Sequence, residues 1–176
     1  MNLSRRDWMA GTMGAALMSA IAAAQEHAHQ AVAQGGPAKL DFFDEASAAD
    51  IGAIAEQILP SDDGPGAKEA GVIFFIDRAL TTFDSDQQDA YRKGIADLRS
   101  RSGGSFAALS GERQMEILHA IEKTEFFEQV RTHTLVGFLG DPSYGGNRDK
   151  VGWKHIGFDD RMFWQPPFGY YDKEQA

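Results

Sequence analysis

His27 and His29 are the two histidines of this chain close enough in sequence to share a metal ion, as an H-x-H pair. Such a pair needs further ligands, and the Ala-, Gln- and Gly-rich stretch around it offers no cysteine and Glu26 as its one carboxylate. His119, His133 and His155 stand apart from one another. Each reads as a satisfied surface or core imidazole, with a mixed His/Asp site as the alternative if the fold brings distant residues together. Asp62, Asp63, Asp159 and Asp160 could serve as general acids or calcium ligands, but none has the loop spacing of a calcium site, and solvated loop carboxylates are the simpler reading. Gly145-Gly146-Asn147 is too short to cradle a phosphate and follows no strand. It predicts a tight turn whose glycines and asparagine accept positive φ. No nucleophile elbow, Walker loop, dinucleotide fingerprint or H-E-x-x-H is present. The chain has no cysteine, which excludes disulfides, thiolate metal sites, iron–sulfur clusters and covalent haem. No catalytic, cofactor-binding or metal-ligating residue is therefore assigned.

The elements that would position any such groups are helical. Asp44 precedes a run in which Ile51, Ile54, Ala55, Ile58 and Leu59 recur on one helical face, ended by Pro60 and Ser61-Asp62-Asp63-Gly64-Pro65-Gly66. A second, central helix is expected over 68–83, with Val72, Ile76, Ala79, Leu80 and Phe83 inward. Ser85-Asp86-Gln87-Gln88 has the form of a capping box and opens a third helix bearing Tyr91, Ile95 and Leu98. Gly94 in that helix should weaken it by about 1 kcal/mol relative to alanine. Ser110 caps a fourth helix with Met115, Leu118 and Ile121. Thr124 caps a fifth, with Phe127, Val130, Thr134, Leu135 and Phe138 inward and its end at Gly140. The fold class is all-α: a bundle of about five helices over 44–140, followed by a long irregular aromatic- and Gly-rich segment over 141–176.

That last segment carries Tyr144, Trp153, Phe158, Phe163, Trp164, Phe168, Tyr170 and Tyr171. Burying each ring is worth a few kcal/mol at about 25 cal/mol per Å², so the rings should either cover the bundle or insert into another protein. The segment reads as a docking surface, with Phe138, Tyr144, Gly145, Gly146, Asn147, Trp153, Phe158 and Trp164 as its expected contacts.

Across the 176 residues, 43% are apolar and the formal net charge is −9. The first figure suffices for a packed core; the second disfavours nucleic acid and anionic lipid as partners. At the front, Ser4-Arg5-Arg6-Asp7-Trp8-Met9 precedes a mild apolar run and Ala22-Ala23-Ala24. Residues 1–24 therefore resemble a twin-arginine export signal, with Arg5 and Arg6 as its paired arginines. Residues 25–43 read as a linker. The twin-arginine route carries folded proteins, often with cofactor bound. A chain with that signal and no cofactor motif suggests a cofactor held by a second, co-exported polypeptide.

The pattern Gly137-Phe138, Asp141-Pro142, Tyr144-Gly145-Gly146-Asn147-Arg148, Gly152-Trp153 and Ile156-Gly157-Phe158 resembles the gluconate 2-dehydrogenase subunit 3 family. Ile58-Leu59-Pro60 before Asp62-Asp63, and Ala70-Gly71-Val72 with Phe75-Ile76-Asp77, support it. After Phe158 the family often continues with Pro-Gly, where this chain has Asp159-Asp160. The resemblance implies a non-catalytic small subunit of a periplasmic dehydrogenase acting on sugars, sugar acids or polyols. It implies a glucose–methanol–choline type large subunit holding FAD, usually a multihaem cytochrome c subunit with haem c, and association with the inner membrane only through the complex. The small subunit then stabilises the large one and supplies its export signal. Two rival readings stand beside this. A free-standing periplasmic hydrolase would need His133 or His155 beside a carboxylate in a pocket. A binding module would need a preformed apolar pocket and no large exposed patch.

Overall fold

Helix α1, Glu45–Ile58, begins where the sequence predicts: the Asp44 carboxylate accepts the Ser47 amide at 2.7 Å. The computed structural model describes residues 39–161, and within them lie six α-helices and no strand. α2 is Val72–Thr81, α3 Gln88–Ser102, α4 Gly111–Ile121, α5 Glu125–Leu139 and α6 Val151–His155. Short 3-10 turns at Ser85–Gln87, Pro142–Tyr144 and Arg148–Lys150 complete the elements of the described residues. α2 is central, packed against both α1 and α5, and Val72, Phe75, Ile76, Ala79 and Leu80 on it are buried. With Ile51, Ile54, Tyr91, Leu98, Ile121 and Val130 they form the core, each large aliphatic side chain contributing about 1.5–3 kcal/mol.

Several sequence expectations are corrected. α2 starts at Val72, not Lys68, because Gly71 takes φ 67 and the amide of Val72 is drawn back to the Ala67 carbonyl at 3.0 Å. α2 then stops at Thr81, so Phe83 leaves the core and lies 54% exposed. The Ser85–Gln88 capping box does not form: no side chain caps α3, and Gln88 instead donates to the Leu80 carbonyl at 2.7 Å. On α4, Ile117 and Gln114 face inward and Met115 outward; on α5, Phe126 and His133 are buried and Leu135 is exposed. The Ser110 and Thr124 caps are both present.

Two buried carboxylates tie remote segments together. Asp50 on α1 accepts Arg99 Nε at 2.8 Å, Ser105 Oγ at 3.0 Å and the Ala107 amide at 3.0 Å. Asp77 on α2 accepts the amides of Asp41, Phe42 and Phe43 at 2.8, 3.0 and 2.9 Å. Residues 41–43, assigned to the linker, are therefore part of the domain, and Phe43 is buried in its core.

Gly94 is a packing requirement rather than a flaw. A Cβ there would sit 2.2 Å from the Phe126 ring, between α3 and α5. Gly94→Ala should gain about 1 kcal/mol of helix propensity yet lose 1–3 kcal/mol to overpacking, so its unfolding midpoint in urea should fall. A midpoint above the parent's would show that the ring moves aside freely.

Candidate partner interface

The segment after α5 is not irregular throughout: two 3-10 turns and α6 return it across the C-terminal end of α5. Asn147 directs this. It takes φ 44 and is wholly buried. Its amide donates to the Gly137 carbonyl at 2.7 Å and its Nδ2 to the Gly140 carbonyl at 2.9 Å, while its Oδ1 accepts the Gly152 amide at 2.9 Å. One side chain thus satisfies a carbonyl left open at a helix end and the first turn of the next helix. Two glycines let the backbones meet: a Cβ on Gly146 would fall 2.1 Å from the Gly137 oxygen, and one on Gly152 would fall 2.0 Å from the Phe138 oxygen. Gly145, at φ 103, makes the turn. The amides of Gly145 and Asn147 are bound to the Pro142 and Gly137 carbonyls, so this turn is spent on the chain itself and offers no phosphate cradle.

This divides the expected contact residues. Phe138, Gly146 and Asn147 are buried inside the chain, where they hold the loop. Gly145 and Trp153 are half-buried, and Trp153 donates Nε1 to the Leu139 carbonyl at 2.6 Å. Tyr144 and Phe158 are 49% and 51% exposed. Trp164 lies outside the described residues, as do Arg5 and Arg6. Sequence reasoning missed Phe83, Val136, Leu139 and Ile156, all exposed. The Phe83 and Tyr144 rings meet edge to face at 6.1 Å, and Trp153 and Phe158 at 5.2 Å. Val136 and Leu139 occupy the outward side of α5 near its end, where the Leu139 carbonyl holds Trp153. Apolar side chains of the segments that follow α2 and α5 thus face solvent.

His133 does meet a carboxylate. Its Nε2 lies 3.1 Å from Asp84 Oδ2 and its Nδ1 lies 2.8 Å from the Tyr91 hydroxyl, with the Tyr91 ring stacked at 5.7 Å. A carboxylate only accepts, so Nε2 carries the proton and Nδ1 accepts from Tyr91. Both ring nitrogens are occupied and the imidazole is buried, which is the satisfied core histidine of the simpler reading. Burial pushes the His133 pKa down, against the hydrogen bond and charge of Asp84; burial also pushes the Tyr91 phenol up. Because the folded pKa is below the unfolded one, the unfolded chain takes up this proton first. Stability should therefore decline as pH falls below the ordinary value of 6.5. His133→Gln should flatten that part of a pH series of urea midpoints; an unchanged slope would place its origin elsewhere. His155 packs its ring near Phe138 and Gly64, with no carboxylate contact among the described residues.

Among the described residues no group of three or more His, Asp or Glu is placed to hold a metal ion, and no helix is long and apolar enough to cross a membrane. A groove of about 390 Å³ between α1 and α2 is lined by Gly52, Ala53, Ala67, Val72, Ile73 and Phe74.

These features define an all-α domain closed by an asparagine-locked glycine loop, with exposed apolar side chains after α2 and α5. Residues 45–160 match the family described as gluconate 2-dehydrogenase subunit 3, and the chain belongs to that family. The family is by name a subunit of an oxidoreductase, which implies partner subunits. No curated protein and no solved structure gives a significant match.

Proposed function

We propose that this chain is the non-catalytic small subunit of a periplasmic FAD-dependent dehydrogenase acting on a sugar, sugar acid or polyol. It stabilises the flavin-bearing large subunit, of the glucose–methanol–choline type, and carries its twin-arginine export signal at Arg5 and Arg6. A multihaem cytochrome c subunit takes the electrons onward to the inner membrane. FAD belongs to the large subunit in this reading, and this chain supplies surface and address.

The observation that carries the reading is the exposure of large apolar side chains: Phe83, Tyr144, Ile156 and Phe158 are each about half exposed or more. An acidic chain of this size gains solubility from charge and loses it through such a patch, unless another protein covers it. Membership of a subunit family supplies the class of partner.

Co-expression tests it. Produced with a flavoprotein large subunit from the same genome, the chain should co-purify as a flavin-containing, active complex in the periplasm. Without the chain, the flavoprotein should remain in the cytoplasm; without the flavoprotein, the chain should aggregate. A soluble lone monomer, together with a flavoprotein exported and active without it, would overturn the reading.

A further inference from the structure

Eight arginines lie in the described residues, and six are ion-paired: Arg92, Arg99, Arg101, Arg113, Arg131 and Arg161, with Asp89, Asp50, Asp97, Glu116, Glu128 and Asp159. The two that pair with no carboxylate among the described residues are Arg78 and Arg148, in a protein whose net charge is −9. They share one ridge. Phe74 and Arg78 are four apart on α2 and so face the same way. The Arg148 guanidinium carbon lies 5.1 Å from the centre of the Phe74 ring. Arg78 Nη1 donates to the Ser143 carbonyl at 2.6 Å, and the Arg148 amide donates to the Ala70 carbonyl at 3.0 Å. The loop from 143 to 148 therefore lies along α2 and holds both guanidinium groups at its edge. Ser143 is followed by Tyr144, whose ring meets Phe83, so the ridge adjoins the exposed Phe83–Tyr144 pair.

We propose that Arg78 and Arg148 form a paired clamp for carboxylates of the large subunit, at the rim of the docking face. This rests on the docking reading above and adds the chemistry of the partner surface: an apolar centre with Asp or Glu side chains beside it. A guanidinium carries five N–H donors in a planar fork. Among the described residues one Arg78 donor is used, and the Arg148 side chain stacks without a hydrogen bond. The free donors match a carboxylate edge to edge. Phosphate polyanions and anionic bilayers are disfavoured, because the long-range field of this acidic chain repels them. A carboxylate pair inside a protein interface works at contact distance, where the fork outweighs that field.

The test uses the co-expressed complex. Arg78→Gln and Arg148→Gln should each weaken association about tenfold at low salt, and the double variant about 100-fold, with a flatter dependence of affinity on sodium chloride. Arg78→Lys with Arg148→Lys should recover part of the affinity, since charge returns without the fork. Arg92→Gln and Arg113→Gln, at exposed positions already paired, should leave both affinity and salt dependence unchanged. If Arg148→Gln lowers the helical content of the chain, Arg78→Gln decides alone, because its one bond goes to an exposed loop carbonyl. A double variant with parental affinity and salt dependence overturns the clamp, as do control variants that lose as much. Should substitutions at Phe83 and Tyr144 still abolish that complex, the docking reading survives the clamp's failure. No complex from the parent chain at any salt would bring down the docking reading itself.

Discussion

Asn147→Ala is expected to cost the fold about 3 kcal/mol and to release residues 141–158 from the end of α5. The side chain donates to the Gly140 carbonyl and accepts from the Gly152 amide, both at 2.9 Å. Removing it leaves polar backbone groups without partners in a buried place, at about 1–3 kcal/mol each. Alanine must also take φ 44, a left-handed conformation that costs it roughly another 1 kcal/mol. The conservative series separates these contributions. Asn147→Gly relieves the backbone alone. Asn147→Asp keeps the acceptor for Gly152 and tolerates the conformation, but turns an oxygen toward the Gly140 oxygen. Aspartate should therefore fall between asparagine and alanine. Unfolding midpoints, with Trp153 emission as a local probe, give the ranking. An alanine variant within about 0.5 kcal/mol of the parent would mean the loop is held by other contacts.

Replacing Phe83 and Tyr144 together by serine should weaken the complex about 1000-fold while leaving the chain's own stability nearly intact. Under the proposed docking, both rings are interface anchors. Aromatic anchors commonly carry 2 kcal/mol or more each, and about 4 kcal/mol corresponds to three decades of affinity. Phe83 is 54% exposed and Tyr144 49%, so little core packing is lost in the chain alone. Parallel measurements of complex affinity and of the melting curve check both halves. Loss of stability without loss of affinity would turn the pair into a structural cover for Phe75, whose ring lies 6.1 Å from Phe83.

Local signals carried most of the helical frame. Asp44, Ser110 and Thr124 cap where their types and positions say they should, since an N-cap depends only on the next three residues. The failures share a cause, which is competition from far along the chain. Gln88 has a capping-box position but finds the Leu80 carbonyl instead. Asp77 looks like an ordinary helical carboxylate until the fold brings amides 34 to 36 positions away onto it. Gly94 reads as a weak point because propensity ignores the Phe126 ring that crosses it. At the candidate interface, the conspicuous Gly-Gly-Asn motif reads as a contact surface, whereas in the structure Gly146 and Asn147 are buried within the chain. Its glycines and asparagine build the loop, while Phe83, Val136 and Leu139, which no motif marks, lie exposed together with Ile156. Phe83 was obscured by a helical periodicity that continues past the point where α2 ends.

The Asp77 carboxylate also sets how this domain bears a mechanical load. Tension on the chain ahead of Lys39 reaches the amides of residues 41–43 and passes through three parallel hydrogen bonds into the middle of α2 before it can peel α1 away. A pull from that end is therefore resisted by the most deeply packed helix of the protein.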